Sequence, residues 1–195
     1  MPTFPPRTFA QSSRFGRLDG VVHVAALDHV VGGLLEGGLD DWDRTSAVNV
    51  KGTMRMTKAA VPLLQERGGS VVVIGTVGAF RPRIEVLRFA YAMSKGALLT
   101  AVRYLARELG RHRIRVNTIA PGFKWGPVLE GWAKGEAEKQ GVTLSEIVAG
   151  LERDTSLGSL ASDDDVANSV VFFLSDLSAK VTGQTLVVDA GSYLG

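Results

Sequence analysis

The chain contains no cysteine, which excludes disulfide scaffolds, cysteine-ligated zinc, iron–sulfur clusters and thiol nucleophiles. A reducing compartment such as the cytoplasm is expected. Its three histidines, His23, His29 and His112, lack the spacing of metal ligands, so no metal site is expected and His23 reads as a core or edge residue. Charge of one sign is lacking as well: 22 basic and 20 acidic residues leave a formal charge of +2, a weak field for a nucleic acid. The densest basic run, Arg111-His112-Arg113-Ile114-Arg115, reads as a solvated helix end, where cations complement the helix dipole. No apolar run approaches the ~18 residues of a membrane-spanning helix, so no membrane partner is expected. Glycine is the residue in surplus, with 23 among 195 residues, which implies tight turns or a glycine-rich ligand loop.

A length of 195 residues suits one domain and leaves little room for a second. Residues 1–17, with Pro2, Pro5, Pro6 and three arginines but no acid, read as an irregular lead-in. From residue 18 a unit repeats. Val21 to Val24 is a β-branched run of strand length, and Asp40 and Asp41 offer a cap for one long helix from Trp42 to Arg67, stopped by Gly68-Gly69. Val71 to Ile74 is a second strand, and Tyr91 to Arg111 a second long helix. Ile114 to Ile119 is a third strand, broken by Pro121-Gly122. Residues 123–160 form an insertion holding a helix from Leu144 to Arg153. Asp163-Asp164-Asp165 caps a last helix through Leu174, and Thr185 to Val188 is the final strand. Strands alternating with long helices predict a doubly wound α/β fold with a parallel sheet. Ligands in such folds bind beyond the carboxyl ends of the strands, at Ala25-Ala26, Gly75-Thr76 and Pro121-Gly122.

The strongest local signal for chemistry is Tyr91-Ala92-Met93-Ser94-Lys95, because a spacing of four puts tyrosine and lysine on one helix face. A tyrosine hydroxyl titrates near pH ~10, and a neighbouring ammonium favours its phenolate and lowers that value. Tyr91 is thereby a candidate general acid or base at an alcohol oxygen.

This pair stands in an ordered series: Phe15-Gly-Arg-Leu-Asp19, Val21 to Ala26, Asn49-Val-Lys-Gly52, Ile74-Gly-Thr76, Tyr91 to Lys95, Arg115-Val-Asn-Thr-Ile-Ala-Pro-Gly122 and Val181-Thr-Gly-Gln-Thr185. From Phe15 to nearly the last residue the series resembles the short-chain dehydrogenase/reductase family, with its Rossmann-type fold. The resemblance implies NAD- or NADP-dependent interconversion of an alcohol and a carbonyl. Tyr91 would exchange the substrate proton, Lys95 would lower its pKa and hold the nicotinamide ribose, Thr76 would hydrogen-bond the substrate oxygen, and Asn49 would complete a proton relay. Ala25, Ala26, Pro121 and Gly122 would lie along the cofactor, beside Tyr91 and Lys95. The partners implied are a small-molecule alcohol or ketone and a second copy of the chain, docked through the two long helices. Residues 123–160 would form a lid, in which Trp125, Leu129 and Trp132 either line an apolar pocket or pack internally. An alternative is a non-catalytic relative serving as a subunit or interaction module.

Several departures accompany the resemblance. Thr76 stands where the family usually has serine; it keeps the hydroxyl and adds a methyl group. His23-Val24-Ala25-Ala26 replaces the common Asn-Asn-Ala-Gly, and Gly126-Pro127 replaces a threonine and proline near the cofactor. No Gly-x-x-x-Gly-x-Gly turn follows a strand anywhere in the chain. The resemblance begins in the middle of the family pattern, roughly two strand–helix units or about 65 residues in. The expectation is therefore an N-terminally truncated domain over residues 18–195, with an apolar edge at Val21 that invites self-association or a binding partner.

Overall fold

The computed structural model describes residues 15–83 and 87–195. Residues 1–14, most of the expected lead-in, lie outside the described residues. Four parallel strands form one sheet in the order β1 (Gly20–His23), β2 (Gly69–Ile74), β3 (Ile114–Pro121) and β4 (Thr185–Val188). Every strand is followed or preceded by a helical crossover, so the doubly wound α/β class holds.

The period-two geometry of strands decides which helix covers which side chain. Val71 and Val73 on β2, with Ile114 and Val116 on β3, face α2 (Thr53–Leu64) and α3 (Phe89–Leu109), meeting Ala60, Leu64, Leu98 and Val102. Val72 and Ile119 point the other way, onto Phe173 of α6 (Asp163–Leu174). Arg115 shares that second face, where its guanidinium donates to the carbonyls of Phe173 and Ser175 and to Ser178 Oγ. One member of the basic run is thus a strand-to-helix tie, and the chain turns there through a left-handed Arg113. Arg113 lies so close to Gly68 that a Cβ there would come 2.7 Å from the Arg113 carbonyl oxygen, which only glycine permits.

Several boundaries differ from expectation. The first long helix begins earlier, as α1 (Leu39–Ser46), capped by Gly38; Asp40 and Asp41 occupy its first turn, where they favour the helix dipole without capping it. It runs through a π-helical turn, Ala47–Gly52, into α2 and ends at Leu64. β1 stops at His23, leaving Val24 outside the sheet and 65 % exposed. β3 runs on to Pro121. The 123–160 segment holds two helices, α4 (Pro127–Gln140) and α5 (Leu144–Arg153), of which only α5 was expected. Ser162 caps α6 reciprocally with Asp165, in place of the aspartates themselves. No helix among the described residues is long and apolar enough to cross a membrane.

Candidate active site

The parallel sheet brings the carboxyl ends of β1, β2 and β3 to one side, and the residues expected to carry chemistry gather there. Thr76 follows β2 after Gly75. Its Oγ1 accepts from Gly78 N at 3.1 Å, closing its own turn, and the side chain stands close enough to Tyr91 to favour its phenolate slightly. Thr76 and Tyr91 thus stand beside one another near the end of β2.

Lys95 lies one helical turn beyond Tyr91 and is 2 % exposed. Its Nζ donates to the Ile74 carbonyl at 2.6 Å and sits 5.6 Å from the centre of the Tyr91 ring. Burial lowers its pKa to about 8, against a smaller upward pull from Asp28. Tyr91 differs from expectation. Burial, then the Asp28 carboxylate, push its hydroxyl above the ordinary value, while Arg88 and Thr76 pull it partly back. Desolvation of the phenolate outweighs the Arg88 cation here.

Asn49 is buried within the π-helical turn, and every polar atom of its side chain is engaged. Oδ1 accepts from Leu27 N at 2.7 Å; Nδ2 donates to Leu27 O and to Ser94 Oγ, both at 2.9 Å. Ser94 Oγ in turn donates to the Tyr91 carbonyl at 2.7 Å. The extra residue of the turn leaves the Asn49 carbonyl to the Thr53 hydroxyl at 2.7 Å. Asn49 thus ties the segment after β1 to the helix that carries Tyr91 and Lys95.

The residues expected along a cofactor line the same side. Ala25 is exposed and Ala26 half-buried after β1, while Pro121 ends β3 and Gly122 follows it. Gly122 has a packing reason as well: a Cβ there would come 2.4 Å from Asp189 Cβ. Leu129 and Trp132 pack inward, Leu129 buried and Trp132 stacked on Phe123 at 6.3 Å, whereas Trp125 is 38 % exposed. Among the described residues no three His, Asp or Glu side chains gather as metal ligands.

Sequence reasoning passed over three contributors. Ser94 lies within the tyrosine–lysine motif, three residues after Tyr91, a spacing at which a serine hydroxyl can bond back to a helix carbonyl. The Asp28–Arg88 pair, 3.2 Å apart, stands beside Tyr91. His23 bonds Thr57 Oγ1 at 2.9 Å, and burial, helped by Lys95, lowers its pKa to about 4.

Comparison with known proteins agrees with this geometry. A family model described as enoyl-(acyl carrier protein) reductase matches residues 7–193. "Dehydrogenase/reductase SDR family member 4" of Sus scrofa is 33 % identical over 178 residues, covering 91 % of this chain and 60 % of that relative. The 2,3-dihydro-2,3-dihydroxybenzoate dehydrogenase of Escherichia coli (strain K12) is 31 % identical over 181 residues, covering 92 % of this chain and 71 % of the relative. A solved short-chain type dehydrogenase/reductase from Mycobacterium ulcerans superimposes with a TM-score of 0.83 at 31 % identity, over 95 % of this chain and 64 % of that one. The chain therefore spans less than two thirds of the length of the pig relative and of the mycobacterial structure.

Proposed function

The chain belongs to the short-chain dehydrogenase/reductase family, and from that premise we propose that its site interconverts a secondary alcohol and the corresponding carbonyl, with NAD or NADP as cofactor. The observation that carries this reading is the buried Lys95 ammonium, fastened to the last carbonyl of β2 and 5.6 Å from the centre of the Tyr91 ring, with Thr76 beside that tyrosine.

The residues present fit the ribose end of such a cofactor. Among the described residues Lys95 Nζ has one hydrogen bond, to Ile74, which leaves two of its three protons for ribose hydroxyls. Ala25, Ala26 and Gly122 add no bulk along the strand ends. No residue of the chain is assigned to the pyrophosphate, since the Gly-x-x-x-Gly-x-Gly turn is not among these 195 residues. A bound nicotinamide supplies or accepts the hydride.

The proton is the protein's own part. In reduction Tyr91 Oη gives its proton to the carbonyl oxygen while Thr76 Oγ1 hydrogen-bonds the same atom; in oxidation Tyr91 takes the proton back. A raised tyrosine pKa keeps the hydroxyl protonated before reaction, which suits the acid role. Lys95, cationic below about pH 8, favours the phenolate left behind. The names of the pig and Escherichia coli relatives, a dehydrogenase/reductase and a dehydrogenase, support the reaction class. The reading is tested by following nicotinamide absorbance with a panel of secondary alcohols and ketones and each of the four dinucleotides. Turnover with any pair supports it; no turnover, together with no shift of melting temperature by any dinucleotide, refutes it.

A further inference from the structure

The 123–160 segment, expected to form a lid over the substrate, is packed less deeply at its far end. α4 buries Leu129, Ala133 and Ala137, but α5 buries no residue at all. α5 is only half-buried, from Ile147 to Glu152, so polar contacts at its end add to what the apolar packing supplies.

We propose that Arg81 and Asp154 form a clasp that fastens the far end of α5 to the loop between Thr76 and Tyr91 and to the C-terminal turn, making both of them positioning residues for the substrate side of the site. The guanidinium engages the carboxylate with both arms, Nη1 to Oδ2 at 3.1 Å and Nη2 to Oδ1 at 3.2 Å. Nη1 also donates to the Ser192 carbonyl at 2.6 Å and to Ser192 Oγ at 2.8 Å. One side chain thereby joins three segments, 73 and 111 residues away along the chain. Arg83 adds a second cation to the same Asp154 oxygen, and its guanidinium lies 5.0 Å from the centre of the Phe123 ring. That links the clasp to Trp132 on α4, against which Phe123 stacks.

Neighbouring contacts follow the same lines. Phe80 stacks on Tyr193 at 5.6 Å, Ser156 Oγ donates to Gly191 O at 2.9 Å, and Leu157 N donates to Ala190 O at 3.1 Å. Asp189 accepts from Gly191 N and Tyr193 N, shaping the turn that presents Ser192. An isolated surface ion pair would do little, but a two-armed arginine–carboxylate pair within a network carries geometric specificity. The loop that Arg81 holds starts five residues after Thr76 and leads into Tyr91, so the clasp joins the 123–160 segment to the stretch that carries both Thr76 and Tyr91.

Hydrogen exchange on Arg81→Ala, Asp154→Asn and Arg81→Lys tests the clasp without any need for activity. Both charge-removing variants should exchange amides of residues 144–158 about tenfold faster or more, with β2, β3 and α3 unchanged; Arg81→Lys, keeping charge but losing the fork, should fall between. Unchanged exchange in 144–158, or equal acceleration throughout the fold in all three variants, overturns the proposal. The consequence for substrate rests on the alcohol–carbonyl reading. There Arg81→Ala should raise KM about fivefold or more while kcat holds, since the reacting groups stay in place; a fall in kcat at unchanged KM would overturn the positioning role. If the unaltered chain shows neither turnover nor a dinucleotide shift of melting temperature, that refutes the reaction and the exchange result still decides the clasp.

Discussion

β1 and β2 lie side by side and both end at the site, but they are held very differently. β2 is hydrogen-bonded on both sides, and Ser70 to Val73 are at most 1 % exposed. Among the described residues β1 pairs only with β2, its four residues are half-buried, and the chain beyond it runs through exposed Val24, Val31, Leu34 and Leu35. The groups proposed to handle the proton stand on the firm side: Thr76 follows β2 after Gly75, and Lys95 is anchored to its last carbonyl. Two of the residues expected along the cofactor, Ala25 and Ala26, stand on the weak side. The proposed chemistry is thus rooted in the interior of the sheet, while the proposed cofactor wall depends on tethers.

The largest of those tethers is Asn49. Asn49→Ala should cost about 3 kcal/mol, because it strands the Leu27 amide and carbonyl and removes a partner of Ser94. Urea denaturation reads the loss, and a cost below about 1 kcal/mol would mean that the segment after β1 is held by something else.

His23 makes the weak side sensitive to acid. With a folded pKa of about 4 against an ordinary 6.5, the folded state resists protonation more than the unfolded chain does. The stability tied to neutral His23 is complete above pH 6.5 and is lost as pH falls from 6.5 toward 4, by up to roughly 3 kcal/mol. The measurement is the difference in urea midpoint between His23→Gln and the unaltered chain at several pH values. The two should converge on acidification; a constant gap would show that His23 does not titrate in this way.

The same substitution on β2 and just past β1 sharpens the contrast most simply. Val72→Ala, at a fully buried site between β2 and α6, should cost about 2 kcal/mol, whereas Val24→Ala, just past β1, should stay within about 0.5 kcal/mol. Equal costs would erase the distinction between the two strands.

The firm side was also the legible one. Val71 to Ile74 and Ile114 to Ile119 announce themselves as continuous apolar runs, and a four-residue spacing puts Tyr91 and Lys95 on one helix face before any coordinates are known. α4 was not legible, because its sequence mixes Gly131 and Gly135 with five charged side chains and shows no clear apolar stripe. The tethers were hidden for a different reason. Asn49 reaches Leu27 across 22 residues, His23 reaches Thr57 across 34 and Arg88 reaches Asp28 across 60, and such pairs leave no periodic trace. The rise in the Tyr91 pKa could not be foreseen either, since it depends on how deeply the ring is buried and on Asp28, which belongs to no motif.

The most direct test of the account is steady-state nicotinamide turnover by the unaltered chain and by Tyr91→Phe, measured beside their melting temperatures. The account predicts that removing this one hydroxyl lowers kcat by about a hundredfold or more, the usual weight of a general acid, while the melting temperature stays within a few degrees. A Tyr91→Phe protein that turns over as fast as its parent would contradict it.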